Sequence, residues 1–277
     1  MKVEDGIDQI IDGYYPWGEP GFLDGPPPPT ATERRSLIGR WLQSESIRWK
    51  ATALALIARF RAILAEIEER AHRRHMVRLV ARIDASALVK SPASILEKMA
   101  REWRAEGGCE GGNPPISFSN YTAELSDLAR FRVVANFLSD VETIAQALQE
   151  PYGPATDLTV GQRAMREDFL LERNRLEDSI HLPPKERKKG ERCRKGVFYP
   201  VAADAARPGV EVQVQTLLQE AWDKKDHFLI YEPQRRGETI ADRHAIEMFA
   251  MSELLYVADL TFDRLRADIL GPDNSRK

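Results

Sequence analysis

Residues 210–231 read VEVQVQTLLQEAWDKKDHFLIY, and this stretch decides the fold because its hydrophobic period changes at Thr216. Before Thr216, apolar and polar residues alternate, which predicts a strand with Glu211, Gln213 and Gln215 on one face. After Thr216, apolar residues recur every three or four positions, which predicts an amphipathic helix. The strand thus presents a carboxylate and two amides on one side. Alternation alone is most typical of a solvated sheet face, so the rest of the chain must decide whether this face is a site.

The composition is that of a globular protein, with 43% hydrophobic and 30% charged residues among 277. The formal net charge is −3, so any affinity for nucleic acid must come from local basic patches. No apolar run approaches the roughly 20 residues that cross a bilayer. The two cysteines, Cys109 and Cys193, fit neither a metal-site spacing nor a disulfide framework, which indicates a reducing compartment. We therefore expect a cytoplasmic protein.

Three parts are expected along the chain. Residues 1–30 are a tail rich in proline and aromatic residues, which we expect to pack on the body. Residues 31–236 are the main domain with its N-terminal helices, and residues 237–277 are a C-terminal helical extension. The helices of this extension could pack on the body or build a homo-oligomer.

The predicted elements follow from periodicity and β-branched content. Helices are expected at 32–82, at 141–148 and at 240–270, and loop at 151–161. Strands are expected at 131–137, 196–203 and 210–216, and residues 169–172 could form another. Residues 240–270 are expected to form either a pair of helical turns or one long helix. The apolar side consists of Met248, Met251, Leu254, Leu255 and Leu260. This order predicts an α+β fold, a mixed or antiparallel sheet of about five strands flanked by helices.

Acidic residues accompany two of the predicted strands: Asp127 precedes one, and Glu211 lies on another. Mg²⁺ prefers one or two carboxylates together with substrate phosphate oxygens, so both residues are candidate metal ligands. A helix that opens at Ser91 puts Ser94 and Lys98 on one face. The cations that could surround a polyphosphate are Lys90, Lys98, Arg132, Lys185 and the basic run that ends at Lys195.

Four short motifs follow one another between residues 90 and 231. They are KSPASILEK at 90–98, DLARFRVV at 127–134, EDSIHLPPK at 177–185 followed by RKGVFYPV, and EVQVQT at 211–216 followed by AWDKKDHFLIY. On these motifs the chain resembles the synthetase domain of the RelA/SpoT family, the alarmone (ppGpp) synthetases. By size it resembles the small single-domain members or a toxin-like relative. The resemblance covers roughly residues 81–232.

The resemblance implies a nucleotidyltransferase-like fold and a reaction that moves the β,γ-pyrophosphate of ATP to the ribose 3′-hydroxyl of GDP or GTP, with Mg²⁺. Carried over by motif, Asp127 would hold the metal, and Glu211 would be a metal ligand or the general base. Gln213 would orient groups beside Glu211. The nucleotide- or phosphate-binding residues would be Lys90, Ser94, Lys98, Arg132, Lys185, Arg194 and Lys195.

Five positions depart from the family pattern: Leu88, Arg130, Arg194, Phe198 and Gln215. The tyrosine that stacks on guanine in the family corresponds to Arg194. A guanidinium plane can also stack on a base, but a preference for guanine no longer follows. The acceptor side is thus altered more than the donor side.

Three functions remain open from the sequence. The first is a pyrophosphokinase that uses ATP with GDP, GTP or another nucleotide as acceptor. The second is a toxin-type relative that modifies the 3′ end of tRNA and has an antitoxin partner, since seven cations lie between Lys185 and Lys195. The third is a non-catalytic nucleotide-binding module, against which the presence of both Asp127 and Glu211 argues.

Overall fold

The computed structural model describes residues 3–73, 80–105, 113–187, 190–201 and 209–270. The α-helices are α1 (Val3–Tyr14), α2 (Ala31–Arg73), α3 (Pro92–Ala105), α4 (Tyr121–Glu124), α5 (Leu138–Gln149), α6 (Val160–Asp168), α7 (Leu217–Asp226), α8 (Glu232–Arg235) and α9 (Asp242–Leu270). The strands are β1 (Val80–Asp84), β2 (Ala129–Ala135), β3 (Phe169–Leu171), β4 (Glu177–Asp178), β5 (Arg194–Pro200) and β6 (Val210–Thr216). One π-helical turn, His227–Tyr231, follows α7.

The six described strands form one sheet in the order β1-β2-β6-β5-β3, with β4 paired to β5. Strand β1 runs antiparallel to β2, with Ile83 opposite Val133, and β4 runs antiparallel to β5. The predicted α+β class is confirmed, with six strands where about five were expected. Strand β6 lies inside the sheet, between β2 and β5.

The change of period at Thr216 is confirmed. Strand β6 ends at this residue, and its Oγ1 accepts a hydrogen bond from the backbone N–H of Gln219 in the first turn of α7 (3.2 Å). The solvated face that alternation alone favoured is wrong, because Glu211, Gln213 and Gln215 are only 4%, 7% and 1% exposed. All seven residues of this interior strand are buried.

Two compact units divide the chain. The first unit consists of Met1–Leu56, Ser86–Arg130 and Tyr199–Glu211, and the second consists of Ile57–Ala85, Phe131–Phe198 and Val212–Lys277. Helix α2 and strands β2, β5 and β6 each continue from one unit into the other. The boundaries expected at residues 30 and 236 stay predictions.

The first unit contains the N-terminal segment. Helix α1 packs on α3, and Ile10 and Ile11 are buried. After α1, the ring of Tyr15 lies 5.6 Å from Trp41 and 4.9 Å from Phe118. The segment therefore packs on the body as expected. Its helix was not predicted, because the 12 residues of α1 include two glycines and four acidic residues, a composition that disfavours helix.

The second unit has an aromatic core. The ring of Phe60 on α2 lies 5.1 Å from Phe131 of β2 and 5.4 Å from Phe198 of β5. Phe198, one of the five departures from the family pattern, is therefore a packing residue. The predicted helix at 32–82 is wrong at its end, because residues 80–84 pair with β2 as an edge strand.

Helices α6 and α9 and strand β3 agree with the predicted elements in part. Helix α6 covers residues at 160 and 161 that were expected in a loop, and β3 confirms the strand suspected near residue 169. Helix α9 is continuous, as one of the two expected alternatives had it. Of its expected apolar side, Met251, Leu254 and Leu260 are exposed and the other two residues are half-buried, whereas the residues that the helix buries fully are Ser252 and Asp259. No helix among the described residues is long and apolar enough to cross a membrane.

Some predicted features lie outside the described residues. They are Cys109 and two lysines of the basic run, Lys188 and Lys189.

Candidate functional site

The backbone of the first unit brings the KSPASILEK motif beside the DLARFRVV motif. Val89 pairs with Ala129 in an antiparallel bridge, and the backbone N–H of Lys90 donates to the carbonyl of Leu128 at 2.9 Å. This short ladder places Lys90 next to Asp127, the residue that precedes β2. The two motifs were matched separately in the sequence, and the structure joins them.

Helix α3 carries the second lysine of the site, Lys98. The Oγ of Ser91 accepts a hydrogen bond from the backbone N–H of Ser94 at 3.2 Å, so Ser91 caps the helix as predicted. One turn after Ser94, Lys98 points to the same carboxylate as Lys90. Lys98 Nζ donates to Asp127 Oδ1 at 3.1 Å, and Lys90 Nζ donates to Asp127 Oδ2 at 2.5 Å. We call Lys90, Lys98 and Asp127 the lysine–aspartate cluster.

Burial and charge compete in this cluster. Burial alone would raise the pKa of Asp127, but the hydrogen bonds and charges of the two lysines outweigh it and lower the pKa from 3.8 to about 2. For Lys90 the balance is reversed. Burial lowers its pKa, and the opposing charge of Asp127 does not make up the difference. Asp127 is thus stabilised in its ionised form, whereas burial disfavours the charged form of Lys90.

The cluster fits a magnesium ion only if the ion is bound together with a polyphosphate. Both oxygens of Asp127 already accept hydrogen bonds from lysines, and the described residues contain no group of three or more His, Cys, Asp or Glu that could hold a metal. Mg²⁺ is usually held by one or two carboxylates and by phosphate oxygens. The donor set therefore fits a metal that arrives with a polyphosphate. Phosphate oxygens can accept the hydrogen bonds of the two lysines, and the oxygens of Asp127 can then bind the metal. Glu211, the other candidate ligand, is a buried carboxylate in the same unit.

In the second unit, Arg132 of β2 and Gln213 of β6 are joined directly. Arg132 Nε donates to Gln213 Oε1 at 3.0 Å, and Arg132 Nη2 donates to Asp223 Oδ2 of α7 at 2.6 Å. Gln213 Nε2 in turn donates to Glu191 at 3.1 Å. Sequence reasoning predicted Arg132 and Gln213 but missed Asp223 and Glu191. The available signal for Asp223 was its place in the AWDKKDHFLIY motif.

Arg194 does not present a free guanidinium plane. It forms ion pairs with Glu142 of α5 and with Asp178 of β4, the latter at 3.0 Å. Asp178 also accepts a hydrogen bond from His181 (2.9 Å). Burial would raise the pKa of Asp178, but the hydrogen bonds from His181 and the charge of Arg194 lower it. Two carboxylates thus hold Arg194, for which the sequence predicted a place beside a nucleotide base.

The basic run divides between the protein interior and its surface. Arg187 and Arg192 are buried and share the carboxylate of Glu253 on α9, and we call them the arginine pair. Their guanidinium groups also lie over aromatic rings of α9, those of Phe249 and Tyr256. Lys185 is exposed in a 3₁₀ turn, and Lys195 pairs across the sheet with Glu177.

Comparison with known proteins identifies the class of fold. No family model matches the sequence, and no curated protein does. Among solved structures, small alarmone synthetase 2 from Bacillus subtilis is 17% identical, with a TM-score of 0.54 over 82% of this chain and 99% of that chain. The structure of smu.1046c from Streptococcus mutans UA159 is 19% identical, with a TM-score of 0.55 over 80% of this chain and 92% of that one.

These likenesses show that the α+β body with its interior strand β6 has the fold of a small alarmone synthetase. The resemblance that the four motifs carry is thereby confirmed at the level of the fold.

Proposed function

We propose that this chain is a pyrophosphokinase of the RelA/SpoT type, which moves the β,γ-pyrophosphate of ATP to a ribose 3′-hydroxyl of a nucleotide. The observation that carries the proposal is the lysine–aspartate cluster. It gathers two cations and one carboxylate from two motifs that the family uses for the donor phosphates and the metal. A cluster of surface charges without a function would not require these two motifs in this order.

In the proposed reaction, the 3′-oxygen of the acceptor forms a bond to the β-phosphorus of ATP, and the bond from that phosphorus to the α,β-bridging oxygen breaks. AMP leaves, and the proton of the hydroxyl passes to Glu211 as general base. Lys90 and Lys98 bind the β- and γ-phosphate oxygens and stabilise the charge that develops there. Asp127 would hold Mg²⁺, which would neutralise further phosphate charge, and Glu211 is the alternative ligand if it is not the general base.

Arg132 and Gln213 are proposed to orient the reacting groups. Their mutual hydrogen bond and the ion pair of Arg132 with Asp223 keep both side chains in one rotamer, which reduces the ordering cost of the reaction. Ser94, Lys185 and Lys195 remain proposed phosphate contacts. The acceptor is proposed to be GDP, GTP or another nucleotide, with no preference for guanine expected from Arg194.

The tRNA-directed alternative gains no support from the basic run. Arg187, Arg192 and Arg194 are each engaged by carboxylates of the protein, so fewer of the seven cations are available to a phosphate backbone. Exposed Lys185 is a better probe of this alternative than Arg192, whose removal would disturb the interior.

The test is release of AMP from ATP and Mg²⁺ with GDP, GTP, ADP, ATP or bulk tRNA as acceptor in separate reactions. We expect AMP with a nucleotide acceptor, and Glu211→Gln should lower the rate by about 10²–10⁴-fold, the range for loss of a general base. Glu177→Gln, which changes an exposed carboxylate on β4, is the matched control and should keep full activity.

Three results would contradict the proposal in different ways. AMP that depends on tRNA alone, and that falls in Lys185→Ala, would favour the toxin-type relative. No AMP with any acceptor, from protein that still binds ATP, would favour the non-catalytic module. An unchanged rate in Glu211→Gln would remove Glu211 from its role.

A further inference from the structure

The side-chain amide of Gln213 has a different partner at each end. Its Oε1 accepts a hydrogen bond from Arg132 Nε at 3.0 Å, and its Nε2 donates to Glu191 Oε1 at 3.1 Å. A guanidinium can only donate and a carboxylate can only accept, so these partners select one of the two orientations that a half-turn of the amide would exchange. In the other orientation, N–H groups would face N–H groups and the amide oxygen would face the carboxylate. Gln213 is buried, so little water is available to relieve such contacts.

Glu191 differs from the residues around it. Residues 185–195 carry seven cations and two acidic residues, Glu186 and Glu191. Glu186 is exposed, whereas Glu191 is half-buried and bonded to the interior strand β6. A carboxylate that turns from a basic segment towards the sheet is not a solvated surface charge, so the backbone that carries it decides where it lies.

The backbone immediately before Glu191 is fixed by α7 and α9. The Gly190 carbonyl accepts a hydrogen bond from the Oγ of Ser252, a buried residue of α9. The ring of Trp222 on α7 packs so closely on Gly190 that a Cβ atom would not fit there. Trp222 is itself tied to α9, because its Nε1 donates to the carbonyl of Met248 at 2.7 Å. Gly190 is therefore held between two helices.

The backbone immediately after Glu191 is fixed as well. Arg192, one of the arginine pair, binds the carboxylate of Glu253 on α9 at 2.9 Å. The backbone N–H of Cys193 donates to Ser179 Oγ at 2.9 Å, and the Cys193 carbonyl accepts from the backbone N–H of Ser179 at 3.1 Å. Because both neighbours of Glu191 are held, its carboxylate reaches Gln213 at a small cost in conformational entropy.

We propose that Glu191 is a positioning residue, which holds the amide of Gln213 with its oxygen towards Arg132. Helix α9 in turn holds Glu191 in place through Ser252 and Glu253. The inference rests on the proposed function, in which Gln213 and Arg132 orient the reacting groups. A wrongly oriented amide presents a donor where an acceptor is needed, so the reaction slows while ATP still binds at the lysine–aspartate cluster.

The first test is steady-state AMP release by Glu191→Gln, with circular dichroism to verify folding. Glutamine keeps the size of the side chain, but its amide can both donate and accept, so Gln213 no longer has one favoured orientation. We expect kcat to fall by about 10–100-fold, because a small misplacement of reacting groups can cost that much, with the KM for ATP unchanged. Glu186→Gln removes the other, exposed carboxylate of residues 185–195 and should leave both parameters as in the wild type.

A double variant tests whether Glu191 acts through Gln213. Gln213→Ala removes the group that Glu191 is proposed to orient, so the addition of Glu191→Gln should cause no further loss of kcat. Two losses that multiply would show that Glu191 acts on the reaction by itself, and would overturn its role as a positioning residue.

A second readout does not require activity. The side-chain amide of Gln213 gives a pair of NMR signals, assigned by their absence in Gln213→Ala. Glu191→Gln should shift or broaden this pair, and so should Ser252→Ala, which removes a hydrogen bond from α9 to the segment that carries Glu191. Thr261→Ala removes a hydroxyl that bonds within α9, and should leave the pair unchanged.

The two readouts separate failure of this inference from failure of the proposed function. A wild-type chain that releases no AMP with any acceptor would refute the proposed function, while the NMR signals would still decide whether Glu191 orients Gln213. Signals that stay the same in Glu191→Gln, or an unchanged kcat in an active enzyme, would overturn the positioning role.

Discussion

Replacing Asp127 with asparagine should remove about 2 kcal/mol of unfolding free energy near neutral pH. The lysine–aspartate cluster lowers the pKa of this carboxyl from 3.8 to about 2. A shift of that size corresponds to roughly 2.4 kcal/mol, since one pKa unit is worth about 1.4 kcal/mol. The Asp127 side chain is 17% exposed, so solvent screening reduces this figure only in part. Asparagine keeps the shape of the side chain but leaves Lys90 and Lys98 facing each other without their shared anion.

The pH dependence of this stabilisation has a definite sign. Because the pKa of Asp127 is lower in the folded chain than in the unfolded one, the stabilisation is fully present above about pH 4 and is lost as the pH falls towards 2. About half of it should remain near pH 3. The difference between wild type and variant should shrink accordingly.

Urea unfolding followed by circular dichroism at pH 7 and pH 3 measures this difference. The matched control is Asp168→Asn, which breaks a more exposed ion pair with Arg59 and should cost at most about 1 kcal/mol. If Asp127→Asn costs no more than Asp168→Asn, or if its effect is the same at both pH values, the electrostatic account of the cluster is refuted.

Three further changes test other contacts by the same unfolding measurement. Glu253→Gln leaves the buried arginine pair without its shared carboxylate and should cost about 3 kcal/mol, because an unpaired buried charge is expensive. Gly190→Ala would put a Cβ atom 2.4 Å from the Trp222 ring and should cost about 1–3 kcal/mol through overpacking. Burial raises the pKa of Asp140 to about 6 despite the opposing charge of Arg266, so wild type should lose stability relative to Asp140→Asn as the pH rises from about 4 to about 6.

The Gly190 and Asp140 changes each have a defined comparison. Gly153→Ala adds a Cβ at an ordinary 3.7 Å from the Glu150 carbonyl oxygen and should stay within about 0.5 kcal/mol of wild type. Equal stability of Gly190→Ala and Gly153→Ala would mean that the indole does not pack on residue 190. A wild-type chain that gains stability between pH 4 and 6, relative to Asp140→Asn, would reverse the assigned sign for Asp140.

The sequence predicted β6 and the helix after it because a change of period is a local property. It did not predict that Glu211 and Gln213 are buried, because a solvated face and a covered face have the same alternation. Whether such a face is covered depends on strands and helices far away in the chain. The same limit applies to β1, whose residues 80–84 follow a long helix and become a strand only by pairing with β2.

For the candidate site, the sequence likewise predicted the residues but not their contacts. Motif order named Lys90, Lys98 and Asp127, but it did not show that both lysines hold the one aspartate. Arg194 was expected at a base-stacking position, and only the structure shows Glu142 and Asp178 beside it. Ion pairs between residues far apart in sequence have no periodic signature, so a single sequence does not reveal them.

The place of β6 in the sheet also sets the order in which the chain can fold during synthesis. Its neighbours β2 and β5 are both made earlier, and neither can gain its interior partner until residue 216 has emerged. The roughly 80 residues between the end of β2 and the end of β6 take on the order of 4–16 s to translate at 5–20 residues per second. During that interval an apolar edge of β2 is open to other strands, so the nascent chain has a window in which chaperones or mispairing can act.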